Sequence, residues 1–334
     1  MSSDADVLER QQERGWLLPY LWVIDAYGWH KPGGFDEQER LGNYRWVYWN
    51  WIVEHKALPE EPIPHLAFQP TPSNEDAKLV QEWLTYPVSH YGWWYDEAWL
   101  HLVNWMLHGF GRRQMDDAVQ RIPDDVKAQW YRQVDLHVLL RNPCDWSAFI
   151  LQGGLQRDKR KASPWAKSTG FFSTPMQVVN MMVDMSMGMD KGKPLEDTRL
   201  LTVCDPCCGT GSMLLAASNY SLRLYGMDIV LDLCLCTELN GWLWAPWLVW
   251  MPDAVQEMLE ERYRTLERLR VMRCIITGDV LGPSTRVDQE APTGVALSHN
   301  PLTVEKAHQR RASAERFWEA ARKGEVEQLD MFEV

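Results

Sequence analysis

The stretch LLTVCDPCCGTGSMLLAAS, residues 200–218, decides the fold of this chain. RLLTVCDP reads as a short buried strand that delivers Asp205 and Pro206 to its carboxyl end. Gly209, Thr210 and Gly211 then let the backbone turn tightly, and a helix opens at Ser212. Glycine is needed in such a turn because a side chain would block a ligand's close approach to the backbone. The crevice outside the strand ends is where open α/β sheets bind their ligands.

Downstream, LRLYGMDI is a second strand, ending at Asp228, and LDLCLCTELNGWLWA a second helix. After a Trp- and Pro-containing loop come the amphipathic helix DAVQEMLEERYRTLERLRVM and a third strand, RCIITGDVL, with Asp279 at its end. Strands alternating with helices imply a parallel sheet with right-handed crossovers. Asp228 lies 23 residues after Asp205, which suits a carboxylate on ribose hydroxyls at the usual spacing of roughly 20. The dinucleotide signature G-x-G-x-x-G is absent, and Asp205 precedes the glycines where a pyrophosphate would be repelled. A cationic ligand fits better, such as the sulfonium and amino group of S-adenosylmethionine.

The rest of the chain bounds what this cleft can serve. Its 334 residues suggest about two domains. The formal charge of −12 excludes indiscriminate coating of nucleic acid, so DNA binding requires basic residues gathered in one groove. No apolar run reaches the roughly 18 residues of a membrane span, and the N-terminus is polar and acidic, so a cytoplasmic protein is expected. Nineteen tryptophans, 14 of them before residue 167, suit a dense aromatic core better than base-stacking surfaces. Residues 1–142 read as a mostly helical domain, with Ser73 and Asp76 capping the helix AKLVQEWLTYPV and further helical patterns at YDEAWLHLVNWMLHGF, QMDDAVQRIP and PDDVKAQWYRQVDLHVLL. Residues 143–303 form the cofactor domain, and residues 304–334 a basic helix and tail. GLQRDKRKASPWAKSTGFFSTP reads as a basic loop, whose Arg157, Lys159, Arg160, Lys161 and Lys167 suit either phosphate contact or solvation. The methionine-rich helix that follows, MQVVNMMVDMSMGM, reads as packing.

DPCCGTGSMLLAAS, preceded by GFFSTP and followed by YGMDI and ITGDVL, resembles the N6-adenine DNA methyltransferases of type I restriction–modification systems and their phage-borne relatives. The resemblance spans about residues 143–282 and includes NPCDWSAFILQGGL as the helix before the closing loop. It implies a Rossmann-like, S-adenosylmethionine-dependent methyltransferase sheet. In that family a G-x-F-aromatic-T-P segment closes over the methionine end of the cofactor. Gly170, Phe172, Thr174 and Pro175 match it, with Ser173 in place of the aromatic. The resemblance further implies that Asp205, Pro206, Gly209, Thr210 and Gly211 line the methionine side, that Asp228 holds the ribose, and that Asp279 sits by the adenine.

The family's catalytic Asn-Pro-Pro-aromatic tetrad has no full counterpart. The nearest match is GVALSHNPLT, which makes Asn300 and Pro301 the catalytic candidates; Leu302 offers a carbonyl, but Thr303 has no π-face for a flipped base. Only 31 residues follow Thr303 and most read as helix, so the family's remaining strands are expected to be missing and the sheet truncated, or completed by a second chain. The tail Gln328, Leu329, Asp330, Met331 and Phe332 resembles the peptide that bacterial proteins insert into the replicative sliding clamp, with Leu and Phe filling an apolar pocket. The cysteine spacings do not read as a zinc site, because Cys204 belongs to the strand and Cys234 and Cys236 point to different helix faces. The expected function is methyl transfer to adenine N6 in double-stranded DNA. The alternative is a catalytically inactive methyltransferase-fold protein that acts by binding DNA or the clamp. Methylation of RNA or protein would use the same cofactor site.

Overall fold

The computed structural model of the protein describes residues 17, 37–112, 115–155, 164–187, 198–264 and 275–277. Three strands, β1 (Thr202–Asp205), β2 (Arg223–Asp228) and β3 (Ile275–Thr277), form a parallel sheet in the order β1-β2-β3. Thr202 pairs with Arg223 and Asp205 with Gly226, while Gly226 pairs with Ile275 and Asp228 with Thr277. Among the described residues no strand lies along the outer edge of β1, whose Thr202 and Cys204 are exposed.

Helices surround this small sheet. Along the chain they are α1 (Glu37–His55), α2 (Asn74–Tyr91), α3 (Tyr95–Gly109), α4 (Asp116–Gln120), α5 (Asp124–Gln133), α6 (Leu136–Leu140), α7 (Trp146–Leu151), α8 (Pro164–Thr169) and α9 (Met176–Met187). The crossover from β1 to β2 is α10 (Ser212–Ala217), and that from β2 toward β3 contains α11 (Leu231–Trp244), α12 (Pro246–Val249) and α13 (Asp253–Arg264).

Local chemistry explains where these elements start and stop. The Ser73 hydroxyl accepts the Asp76 backbone N–H at 3.1 Å, the expected cap of α2, and Gly92 ends that helix in the left-handed region at φ 71°. The stretch read as one helical pattern over 123–140 is instead α5 and α6. Val134 is extended, and the Asp135 carboxylate caps the new helix by accepting the His137 N–H. The basic loop before GFFSTP contains α8. The methionine-rich helix is only partly packing: Met176, Val179 and Val183 are buried, whereas Met181, Met182 and Met185 are exposed.

The tryptophans do form a core. Trp49, Trp99, Trp105, Trp130, Trp146, Trp244 and Trp247 are fully buried. Trp242 of α11 lies between two stacked rings, Trp46 of α1 at 5.7 Å and Phe110 after α3 at 5.3 Å. Buried side chains from α1 through α13 join one hydrophobic cluster, so the helical layer packs directly on the crossover helices of the sheet. Arg45 is sealed inside this contact. Its guanidinium donates to the Pro64 carbonyl at 2.8 Å, the Trp244 carbonyl at 3.0 Å, the Ser218 hydroxyl and Asn219. It also lies over the rings of Phe68 and Trp247.

Candidate functional site

The glycine turn leaves the carboxyl end of β1 and is pinned from three sides. The Cys208 N–H reaches the Met227 carbonyl of β2 at 2.9 Å, and the Gly211 N–H closes on the Cys208 carbonyl at 2.8 Å. Thr237 of α11 donates its hydroxyl to the Gly209 carbonyl at 2.9 Å. Gly209 and Gly211 sit at φ 57° and 89°, where an L side chain is strained. A Cβ on Gly211 would also come within 2.8 Å of Thr237 Cγ2, and one on Gly209 within 3.0 Å of the Phe171 ring.

Two carboxylates flank the turn. Asp205 ends β1 and accepts the Cys207 N–H at 3.1 Å. Asp228 ends β2; one oxygen accepts the Gly209 N–H and the other the Val230 N–H, both at 2.9 Å. Partial burial pushes the Asp205 carboxyl up from its ordinary range, and the charge of Asp228 pushes the same way. Each Asp228 oxygen, with one N–H accepted, retains capacity for a further hydrogen bond. Two carboxylates beside a bare backbone turn suit hydroxyls and positive charge and disfavour phosphate.

The closing segment lies against this turn. Gly170, at φ 61°, carries the chain out of α8 into a stretch without regular secondary structure, and Phe171 is half-buried over Gly209 and edge-on to Trp165. The Trp165 indole donates to Asp232 in the first turn of α11 at 3.0 Å, which ties α8 to the far side of the cleft. Thr174 and Pro175 are exposed, and the Pro175 carbonyl starts α9 by accepting the Val178 and Val179 N–H groups. Phe172 projects outward with 82% of its surface exposed. Pro206 is exposed at the rim. Thr210 turns the other way: its side chain is buried and its hydroxyl donates to Asp145 at 2.5 Å, which leaves only its backbone facing the turn.

Gly170, Phe172, Thr174, Pro175, Asp205, Pro206, Gly209, Thr210, Gly211 and Asp228 thus fall on the closing segment, the turn and the two strand ends. Asp279, Asn300, Pro301 and the tail from Gln328 to Phe332 lie outside the described residues. Three contributors were missed in the sequence. Ile229, beside Asp228, is 66% exposed and offers an apolar face at the strand end. Asp145 and Asn240 meet behind the turn, where the Asn240 amide donates to the Thr210 carbonyl at 2.8 Å and to Asp145 at 3.2 Å. Burial pushes the Asp145 carboxyl up, against four hydrogen bonds that favour its charge. A signal for Asp145 existed, an aspartate opening the helix WSAFIL, but nothing in the sequence linked it to a turn 65 residues away.

Cys204 and Cys207 are exposed, and Cys144, Cys208, Cys234 and Cys236 are buried free thiols. Among the described residues no three His, Cys, Asp or Glu side chains gather as a metal site, and no helix is long and apolar enough to cross a membrane.

The family model described as N-6 DNA Methylase matches residues 159–234, under a quarter of the chain. This span runs from the basic stretch before α8, through the closing segment, the glycine turn and Asp228, into α11. It supports kinship of this segment with the N6-adenine methyltransferases. No curated protein and no solved structure matches the chain.

Proposed function

We propose that the protein is an S-adenosylmethionine-dependent methyltransferase acting on adenine N6 in double-stranded DNA, with a Rossmann-like sheet that is truncated. One observation carries the reading: the turn flanked by Asp205 and Asp228, with the closing segment laid against it, falls within the span that matches the methylase family. The residues present fit the cofactor. The glycines at positive φ leave the backbone bare, the carboxylates suit a ribose and a positively charged methionine end, and Ile229 offers an apolar face to an adenine ring.

When bound, S-adenosylmethionine would supply an electrophilic methyl group for the target amine. The chain's own work is then positional. Asp228 would orient the ribose through its free lone pairs. Asp205 would hold the methionine amino group, and its ionised form is needed for that. The segment 170–175, anchored through Trp165, would exclude water from the cofactor side. Asn300 and the Pro301 carbonyl are assigned to accept hydrogen bonds from the amine of a flipped adenine. A cytoplasmic location and a phage or mobile-element role belong to the same reading.

A second reading has its own support. Thr303 provides no stacking ring for a flipped base. This favours either a second chain that completes the site or an inactive methyltransferase fold that acts by binding DNA or, through Gln328 to Phe332, the sliding clamp.

Calorimetric titration with S-adenosylmethionine, followed by tritiated-methyl transfer to unmodified DNA, separates the two. Binding with transfer supports the enzyme. Binding without transfer favours the second reading, and no binding overturns the cofactor assignment.

A further inference from the structure

Asp145 is fully buried at the start of α7, yet its carboxylate serves more than the helix behind it. One oxygen accepts the Ala148 N–H at 2.9 Å and the Asn240 amide at 3.2 Å. The other is given wholly to the glycine turn, accepting the Thr210 and Ser212 hydroxyls, both at 2.5 Å. A helix cap needs one acceptor for a backbone N–H. A buried carboxylate that also collects two hydroxyls from a separate element costs desolvation that a cap alone does not require.

The other end of α7 reaches the closing segment. Gln152 donates its amide to the Ser173 carbonyl at 3.3 Å, and the Ser173 hydroxyl lies 3.4 Å from that of Ser212. The short helix therefore touches the turn through its N-cap, Asp145, and the closing segment through its C-cap, Gln152. Ser173 stands where the family pattern has an aromatic ring, and here its hydroxyl meets the hydroxyl that Asp145 holds.

We propose that Asp145 is a positioning residue of the cofactor cleft: it fixes Thr210 and Ser212, and through Ser212 and Ser173 it couples the glycine turn to the closing segment. This rests on the cofactor reading given above. Asp145 itself faces away from the cleft, so it acts only through the two hydroxyls.

The test uses Asp145→Ala, Asp145→Asn and Ser212→Ala in the full chain, with two readouts taken well below each melting temperature. In the absence of ligand, amide hydrogen exchange should rise at residues 171–174 and 209–212 in all three variants. S-adenosylmethionine affinity, measured by calorimetry, should fall at least tenfold in Asp145→Ala. Asp145→Asn should recover it in part, because the amide oxygen can still take both hydroxyls while its NH2 group faces the Ala148 N–H and the Asn240 amide, which need an acceptor. Ser212→Ala should weaken binding severalfold with little change in melting temperature, which a purely structural role would not produce. Should Asp145→Ala fail to fold, the other two variants decide. Wild-type exchange and wild-type affinity in both would overturn the proposal. If the unaltered chain takes no S-adenosylmethionine, the cofactor reading falls, and the exchange arm alone then judges the coupling.

Discussion

The indole N–H of Trp165 donates to the carboxylate of Asp232 across 3.0 Å, and this bond joins the helix before the closing segment to the helix after β2. It bridges the two sides of the cleft without entering it. Trp165→Phe keeps an aromatic ring for Phe171 and removes only the donor. S-adenosylmethionine affinity should drop severalfold by calorimetry, while the melting temperature moves little, as expected for one partly buried hydrogen bond worth about 1 kcal/mol.

Arg45 makes a prediction of the opposite kind. Its guanidinium serves the Pro64 and Trp244 carbonyls, Ser218 and Asn219, and none of the residues of the glycine turn. Arg45→Ala would strand several buried acceptors and open a cavity, costing on the order of 3 kcal/mol or more in urea denaturation. Arg45→Lys should recover little, because an ammonium lacks the planar fork that reaches separate acceptors.

Gly211 is fixed by backbone and neighbour together. At φ 89°, with Thr237 Cγ2 only 2.8 Å from where an added methyl would sit, Gly211→Ala should destabilise the fold by about 2 kcal/mol. It should also abolish detectable cofactor binding. Adding Thr237→Ser removes the clashing methyl and keeps the hydroxyl on the Gly209 carbonyl. The double variant should therefore regain part of the lost stability and melt above the single one.

Asp205 sets a pH dependence with a definite sign. Burial, and then the charge of Asp228, raise its folded pKa above the unfolded value. Between those two values the folded chain binds more protons than the unfolded one, so stability falls as pH rises through that window. Asp205→Asn removes this dependence and can still accept the Cys207 N–H. Its melting temperature should equal or exceed that of the parent at neutral pH, and the gain should shrink toward pH 4. Cofactor affinity of the parent should rise with pH across the same window, because the cation needs the ionised carboxylate. A flat affinity profile would argue against Asp205 as the group that meets the positive charge.

The tail is tested separately. Phe332→Ala should remove binding to a bacterial sliding clamp in a pull-down or surface-resonance assay and leave S-adenosylmethionine affinity unchanged. Clamp binding that survives the substitution would end that assignment.

What the sequence disclosed follows from range. The turn around Gly209 and Gly211 and the acid at Asp228 were legible because strand, turn and helix signals are local and follow one another within 30 residues. The cap at Ser73 was legible for the same reason. Asp145 was not: its partners Thr210, Ser212 and Asn240 lie 65 to 95 residues away, and no periodicity reports a contact of that range. Thr210 misled in a related way, since its place in the turn suggested the cleft while its hydroxyl faces the helical layer. The break at Val134 was hidden because apolar spacing runs on through 123–140, and only the Asp135 side chain interrupts it.

Trp242 sandwiched between Trp46 and Phe110 bears on how such a chain can diversify. Modules that are shuffled between proteins meet their neighbours through thin, polar seams. Here three rings from distant parts of the chain interleave at the seam, and Arg45 is locked in beside them. A helical half transplanted from another chain would have to bring both outer rings of that sandwich in register. Substitution at the exposed faces leaves that stack intact, whereas exchange of either half has to rebuild all three rings together.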